Sequence, residues 1–318
     1  MRPTPEELHE FVHKVDRVDP YIPHYTQEIS SHERRIELDI THEIMKLTDD
    51  FTQTVWVYNG SIPAPTLRGR VGDTFHVVVH NSSDIAHNID FHAGIDGSPD
   101  DLMKPIMPSE THEYTFTAKR TGIWLYHCSC VPMGEHMANG MLGAVIIEPE
   151  NGLVDVNHEI ILMQHEIYCG DNGQSADVHR LNDLRPDFVA FNGRAFQYVA
   201  HPIEAKVGDR VRIWIVNAGP NVDLAFHIVG VQFSTVWAEG EYTVLDNVGM
   251  AARRYNITAE RTLDVSMSAQ TGSQTVNVAP TAGAFVEFAF EHSGTYAFMN
   301  HIAAYAAKGA HGVFHVSE

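Results

Sequence analysis

The chain repeats itself, and that repeat limits what it can fold into more than any other feature. Asn59-Gly60 is followed by Val71-Gly72-Asp73 and an apolar, β-branched run ending at Asn81. In the second half, Asn192-Gly193 is followed by Val207-Gly208-Asp209 and a similar run ending at Asn217. From the Val-Gly-Asp turn to the closing asparagine the offsets are identical. Later, "TGIWLYHC" (121–128) matches "SGTYAFMN" (293–300), and "GMLGAVIIEP" (140–149) matches "KGAHGVFHVS" (308–317). Two copies of one unit, joined near residues 148–159, explain this order. The unit itself reads as β. Short segments such as "QTVWVYNG", "TFHVVVHN", "HEYTFTA", "EIILMQHEI" and "RVRIWIVNAG" alternate with turn signals, the pattern of a β-sandwich. The expected fold is therefore all-β: an N-terminal extension over 1–30, a first sandwich over 31–150 and a second over 151–318. Residues 1–16 predict a short amphipathic helix, and "HIAAYAAKGA" after Asn300 is the best internal helix candidate.

A chain of 318 residues is long enough for two ordinary domains, and 44% hydrophobic with 19% charged residues is a globular composition. No apolar run approaches the roughly 18 residues that span a bilayer. The first sixteen residues hold no apolar core of a signal peptide, so the protein is expected to be cytoplasmic or to have lost its leader. The formal net charge of −20 argues against non-specific nucleic-acid binding. It suits a small redox partner with a complementary basic face. Three cysteines are too few for a disulfide scaffold, whereas 21 histidines are an unusual supply of metal ligands.

Those ligands concentrate in "YHCSCVPMGEHMANGM", residues 126–141. Cys128, His136 and Met141 follow in order on one loop after a strand, with His87 in "AHNIDFHAG" about forty residues upstream. One thiolate, two imidazoles and a thioether are the ligand set of a blue-copper electron-transfer site. A buried cysteine among core methionines would need no such spacing. In the repeat Cys128 falls on Asn300, so the second copy cannot hold the same site.

Side chains alternate along a strand, so His87, Ile89 and Phe91 are expected to point one way and Asn88, Asp90 and His92 the other. The same logic separates His127 from Cys128. If Cys128 and His87 face the interior, His127 and His92 face outward together with Asp90 beside them, and look like part of a second metal site. His301, at the matching strand end of the second copy, is the obvious third imidazole. Cys128 and His127 would then join the two sites through the backbone. His227 in "LAFHIVGVQF" lies roughly where the second copy matches "HNIDFH", and reads equally well as a core histidine. "HEFVH" (9–13) matches the H-E-x-x-H zinc pattern, but an exposed helix with His9 and His13 on one face accounts for it better. Cys130 reads as a neighbour of the first site and Cys169 as a buried thiol. His76, His80 and His165 read as strand residues.

"HNIDFH", "YHC…H…M" and "GTYAFMNH", in this order across two repeats, resemble copper-containing nitrite reductase over roughly residues 45–316. The resemblance implies two cupredoxin-like Greek-key sandwiches, with a type-1 copper on His87, Cys128, His136 and Met141. It implies a type-2 copper on His92 and His127, with His301 supplied by a neighbouring subunit of a homotrimer. Asp90 and His227 match the family's paired proton donors. The implied reaction is reduction of nitrite to nitric oxide, with electrons from a small redox protein (a cupredoxin or cytochrome c) passing through Cys128 and His127. An extracytoplasmic location, periplasmic or at the cell surface, goes with that. The chain departs from the family in a Cys128-to-His136 loop shorter by one residue, in Cys130, in Val229 where a bulkier Ile is usual, and in Gln232 where a histidine is frequent. The family's C-terminal arm is expected to be missing, and an N-terminal extension stands in its place. Two other functions compete. A laccase-like oxidase would need His-x-His motifs, and the sequence has none. A non-enzymatic blue-copper carrier would leave His92, His127 and His301 unexplained.

Overall fold

The computed structural model of the chain describes residues 2–22, 32–94, 96–98, 100, 103–245 and 272–318. The two copies of the repeat fold alike down to single turns. Asn59 and Asn192 both take positive φ (53° and 52°) and so do the glycines after them (68° and 87°). Two consecutive left-handed residues make a tight hairpin turn, which Asn-Gly adopts at low cost. In the Val-Gly-Asp turns, the Asp73 carboxylate accepts from Arg70 N and the Asp209 carboxylate from Lys206 N, both at 2.9 Å. Asn81 Nδ2 donates to the carbonyls of Ile85 and Ile106, and Asn217 Nδ2 to those of Val222 and Val278.

The first half contributes β1 (Glu33–Lys46), β2 (Thr52–Tyr58), β3 (Leu67–Arg70), β4 (Thr74–Asn81), β5 (Asp90–Phe91), β6 (Thr111–Thr117), β7 (Gly122–His127) and β8 (Leu142–Glu148). They form two sheets, ordered β2-β1-β4-β6 and β3-β8-β7-β5. The second half contributes β9 (His158–Ile167), β10 (Phe188–Phe191), β11 (Ile203–Lys206), β12 (Arg210–Gly219), β13 (Leu224–Ile228), β14 (Thr235–Ala238), β15 (Glu241–Val244), β16 (Thr275–Val278), β17 (Gly283–Ala289), β18 (Gly294–Asn300) and β19 (His311–Ser317). Its sheets run β10-β9-β12-β17-β14-β15 and β11-β19-β18-β13-β16, the first-half order with extra strands at one edge. Each half opens with a parallel pair, β1 with β4 and β9 with β12. This is the expected fold, two cupredoxin-like sandwiches in tandem.

Each sandwich has its own core. Phe75, Val77, Tyr114, Phe116 and Tyr126 fill the first, and Ile213, Phe226, Phe233, Phe298 and Phe314 the second. A third apolar layer lies between them, where Ile123, Leu125, Leu142 and Ala144 meet Ile161, Met163, Trp214 and Phe285. With both faces covered, β8 is buried at every position, which is why "LGAVIIE" reads as a continuous apolar run rather than an alternating one.

Helix α1 (Pro5–Val12) is shorter than the 1–16 expected. It opens on a capping box between Thr4 and Glu7, and Leu8 and Val12 pack with Leu47 from one half and Phe188 and Phe196 from the other. After it the chain runs over the second sandwich, where Arg17 donates to the His201 and Pro202 carbonyls. Helix α2 (Met133–Ala138) lies inside the ligand loop and was not expected. Among the remaining helices, α3 (Val178–Asn182) and α4 (Gln197–Ala200) are short, and the candidate after Asn300 is a single turn, α5 (Ala303–Ala306).

Candidate metal centres

The structure gathers His87, Cys128 and His136 into one buried group whose donor atoms all lie within 4.8 Å of one another. His87 Nδ1 is 3.0 Å from His136 Nδ1, and Cys128 Sγ is 3.2 Å from His136 Nδ1 and 3.8 Å from His87 Nδ1. Local structure places each. Cys128 follows directly on β7, His136 rides the buried side of α2, and His87 is bridged to Ile106 beside β5. Met141 is fully buried in the same core cluster as Cys128, and its carbonyl accepts from Cys128 N at 3.2 Å. Burial lowers His87 to about 3, with His136 and His42 adding to the effect, and His136 to about 4. Both imidazoles therefore stay neutral at pH 7 with lone pairs to offer. Burial pushes the Cys128 thiol up, although Asn88 N lies 3.4 Å from Sγ and would stabilise a thiolate. Three soft or borderline donors turned toward one another fit copper well.

A second group, Asp90, His92 and His127, has its donor atoms within 4.8 Å as well. His92 Nε2 and His127 Nε2 are 3.1 Å apart, and Asp90 Oδ2 is 3.7 Å from His92 Nε2. His127 Nδ1 donates to the Cys128 carbonyl at 2.9 Å, which leaves its Nε2 lone pair facing His92. Burial and the His127 ring hold the His92 imidazole below its ordinary range, with Asp90 opposing.

His127 and Asn88 depart from the outward placement expected from strand alternation. His127 is only 3% exposed, because the face of β7 that carries Ile123, Leu125 and His127 turns to the layer between the sandwiches, not to water. Asn88 is buried too. It leaves the alternation because β5 begins only at Asp90, and its Oδ1 accepts from Ser129 N at 2.8 Å.

His301 is outside this second group. Its ring meets His227 instead, with centroids 5.3 Å apart. His227 Nδ1 donates to the Gln274 carbonyl at 2.6 Å, so among the described residues Nε2 is the nitrogen left without a hydrogen-bond partner. The first half thus offers Asp90, His92 and His127, and the second offers His227 and an exposed His301. At the position matching Cys128, Asn300 is buried in an amide cluster, donating to Gln164 Oε1 at 2.9 Å and to the Asp223 carbonyl at 2.8 Å.

Two neighbours escaped the sequence reading. His42 Nε2 lies 3.2 Å from His87 Nε2, and the Trp56 ring meets both the His87 and His136 rings in T-shaped contacts. His9 and His13 do share one side of the first helix, with rings 5.0 Å apart. Cys169 is buried and Cys130 half-buried, and all three cysteines are free.

Residues 39–152 and residues 172–318 each match a family described as multicopper oxidase. The chain is 33% identical over 222 residues to a copper-containing nitrite reductase from Neisseria gonorrhoeae, a match covering 67% of this chain and 57% of that protein. It thus spans less than two thirds of that relative's length. A copper-containing nitrite reductase from Rhizobium meliloti is 26% identical over 318 residues, covering 91% of this chain and 77% of that protein. The structure resembles that of copper nitrite reductase from Nitrosomonas europaea with a TM-score of 0.74 and 27% identity, covering 89% of this chain and 94% of that one.

Proposed function

We propose that this chain, which belongs to the multicopper oxidase family, is an oxidoreductase that reduces nitrite with one electron and two protons to nitric oxide and water. One observation carries the reading: adjacent residues, His127 and Cys128, belong to two different donor groups. His87, Cys128, His136 and Met141 would hold a type-1 copper. His92 and His127, together with the partner subunit's His301, would hold a type-2 copper in a homotrimer, one of each per subunit. When bound, copper supplies one-electron transfer at the first group and Lewis-acid polarisation of nitrite at the second.

The chain's own groups do the rest. The peptide between Cys128 and His127, and the hydrogen bond from His127 Nδ1 to the Cys128 carbonyl, connect the two groups at short range. Asp90 is partly exposed beside His92 and can deliver one proton to a nitrite oxygen. His227, with Nδ1–H held by the Gln274 carbonyl, would deliver the second from Nε2 after taking up a proton there as the imidazolium. Val131, Met133, Met103 and Met107 stand exposed around the ligand loop, an apolar rim suited to a small electron donor, a cupredoxin or cytochrome c, with a basic face. We place the protein outside the cytoplasm, as a periplasmic or cell-surface enzyme. Among the described residues no helix is long and apolar enough to cross a membrane. We divide the chain after residues 30 and 150.

The test is anaerobic nitrite turnover by the copper-loaded protein, with nitric oxide detected directly. Asp90→Asn is expected to keep both coppers and lose about a hundredfold or more in rate, the usual size of a general-acid contribution. Unchanged turnover would remove Asp90 from the reaction.

A further inference from the structure

His42 stands where a core residue is the default. On β1 it follows Leu38 and Ile40 on one face, and both of those are buried and apolar. Directly across the strand pair it meets Trp56, on which its ring stacks at 5.3 Å and 21°. Nε2 has a hydrogen-bond partner and Nδ1 faces a carboxylate. Nδ1 lies 3.1 Å from Asp84 Oδ1, and Nε2 lies 3.2 Å from His87 Nε2.

The proton positions follow from what each group can do. The Asp84 carboxylate is not aligned to accept a hydrogen bond from Nδ1, but its negative charge 3.1 Å away favours the tautomer of neutral His42 that carries the hydrogen on Nδ1. Nε2 of His42 is then a lone pair and accepts from Nε2–H of His87. That assignment leaves the lone pair of His87 on Nδ1, the nitrogen 3.8 Å from Cys128 Sγ and 3.0 Å from His136 Nδ1. A leucine would fill the same space without making this selection.

We propose that His42, stacked on Trp56 with the Asp84 charge beside it, is the positioning residue of the first centre: it fixes the tautomer and orientation of His87, and by accepting its hydrogen makes that ligand more basic. The inference rests on the reading of His87 as a copper ligand. A more basic imidazole favours the oxidised metal, so His42 would strengthen Cu(II) binding and hold the reduction potential down.

The experiment compares wild type, His42→Phe, His42→Gln and Asp84→Ala as copper-loaded full-length protein. Phe keeps the aromatic stack but removes the acceptor, whereas Gln can restore an accepting oxygen. Competition against a chelator of known affinity reads Cu(II) binding, and potentiometry of the blue band reads the potential. Thermal unfolding of the copper-free proteins controls for the fold. His42→Phe should weaken Cu(II) binding about ten- to a hundredfold. A tenfold loss confined to the oxidised state raises the potential by about 59 mV. His42→Gln should stay within about threefold of wild type on the same scale. Asp84→Ala, at an exposed position, should move the potential in the same direction by less. Unchanged affinity and potential in both His42→Phe and Asp84→Ala overturn this inference alone. A wild type that takes up no blue copper overturns the reading of His87, and this inference falls with it.

Discussion

His165 offers a quantitative test of how the layer between the sandwiches behaves in acid. It lies on β9 on the face that also carries Ile161 and Met163 into that layer, and it is 3% exposed. Neither ring nitrogen makes a hydrogen bond of normal geometry among the described residues. Burial lowers the imidazole to about 4, offset in small part by the Glu166 backbone, whereas an unfolded chain leaves it near 6.5. Between those values the unfolded chain binds the proton more readily, so stability is full above about pH 6.5 and is lost as pH falls toward 4. At pH 5 the preference of the unfolded chain reaches about thirtyfold, which is ~2 kcal/mol. His165→Leu removes the titrating group and replaces an unpaired polar ring with an apolar side chain, a change that is neutral or stabilising at pH 7. Urea unfolding of the copper-free chain at pH 7 and pH 5 checks this, since other buried histidines contribute equally to both proteins. The variant should lose about 2 kcal/mol less than wild type between the two pH values. Equal losses would refute the reasoning.

Two further outcomes follow from the geometry. His301→Ala should take up one copper per chain in place of two while keeping its blue colour, as read by copper analysis and visible absorption; two coppers in the variant would remove His301 from the ligands. Gly140 has φ 109°, and a Cβ there would lie 2.2 Å from Ile62 Cδ1, so Gly140→Ala should cost about 2 kcal/mol or more. Calorimetry should show a midpoint several degrees lower, and an unchanged midpoint would contradict the packing of the ligand loop.

What could be read in the sequence was local. Asn59-Gly60 and Asn192-Gly193 announce their turns because the backbone conformation is written in the two residues themselves. Cys128, His136 and Met141 stand out because one loop carries them in ligand order. Their assembly with His87 was legible through strand ends that the repeat locates. The burial of His127 was not legible, since it depends on the second sandwich covering the first. Nor was His42, whose position depends on pairing with Trp56 from β2 and closeness to His87 from the segment before β5. Helix α2 was hidden for a different reason: six residues are too few for a periodic signal to rise above the loop around them.

Two donor groups on adjacent residues are the centre of this account, and copper counted per chain tests them most directly, with EPR spectra taken before and after nitrite is added. Two coppers are expected, one blue and one type-2, with the type-2 signal changed by nitrite. A single blue copper that is indifferent to nitrite would contradict it.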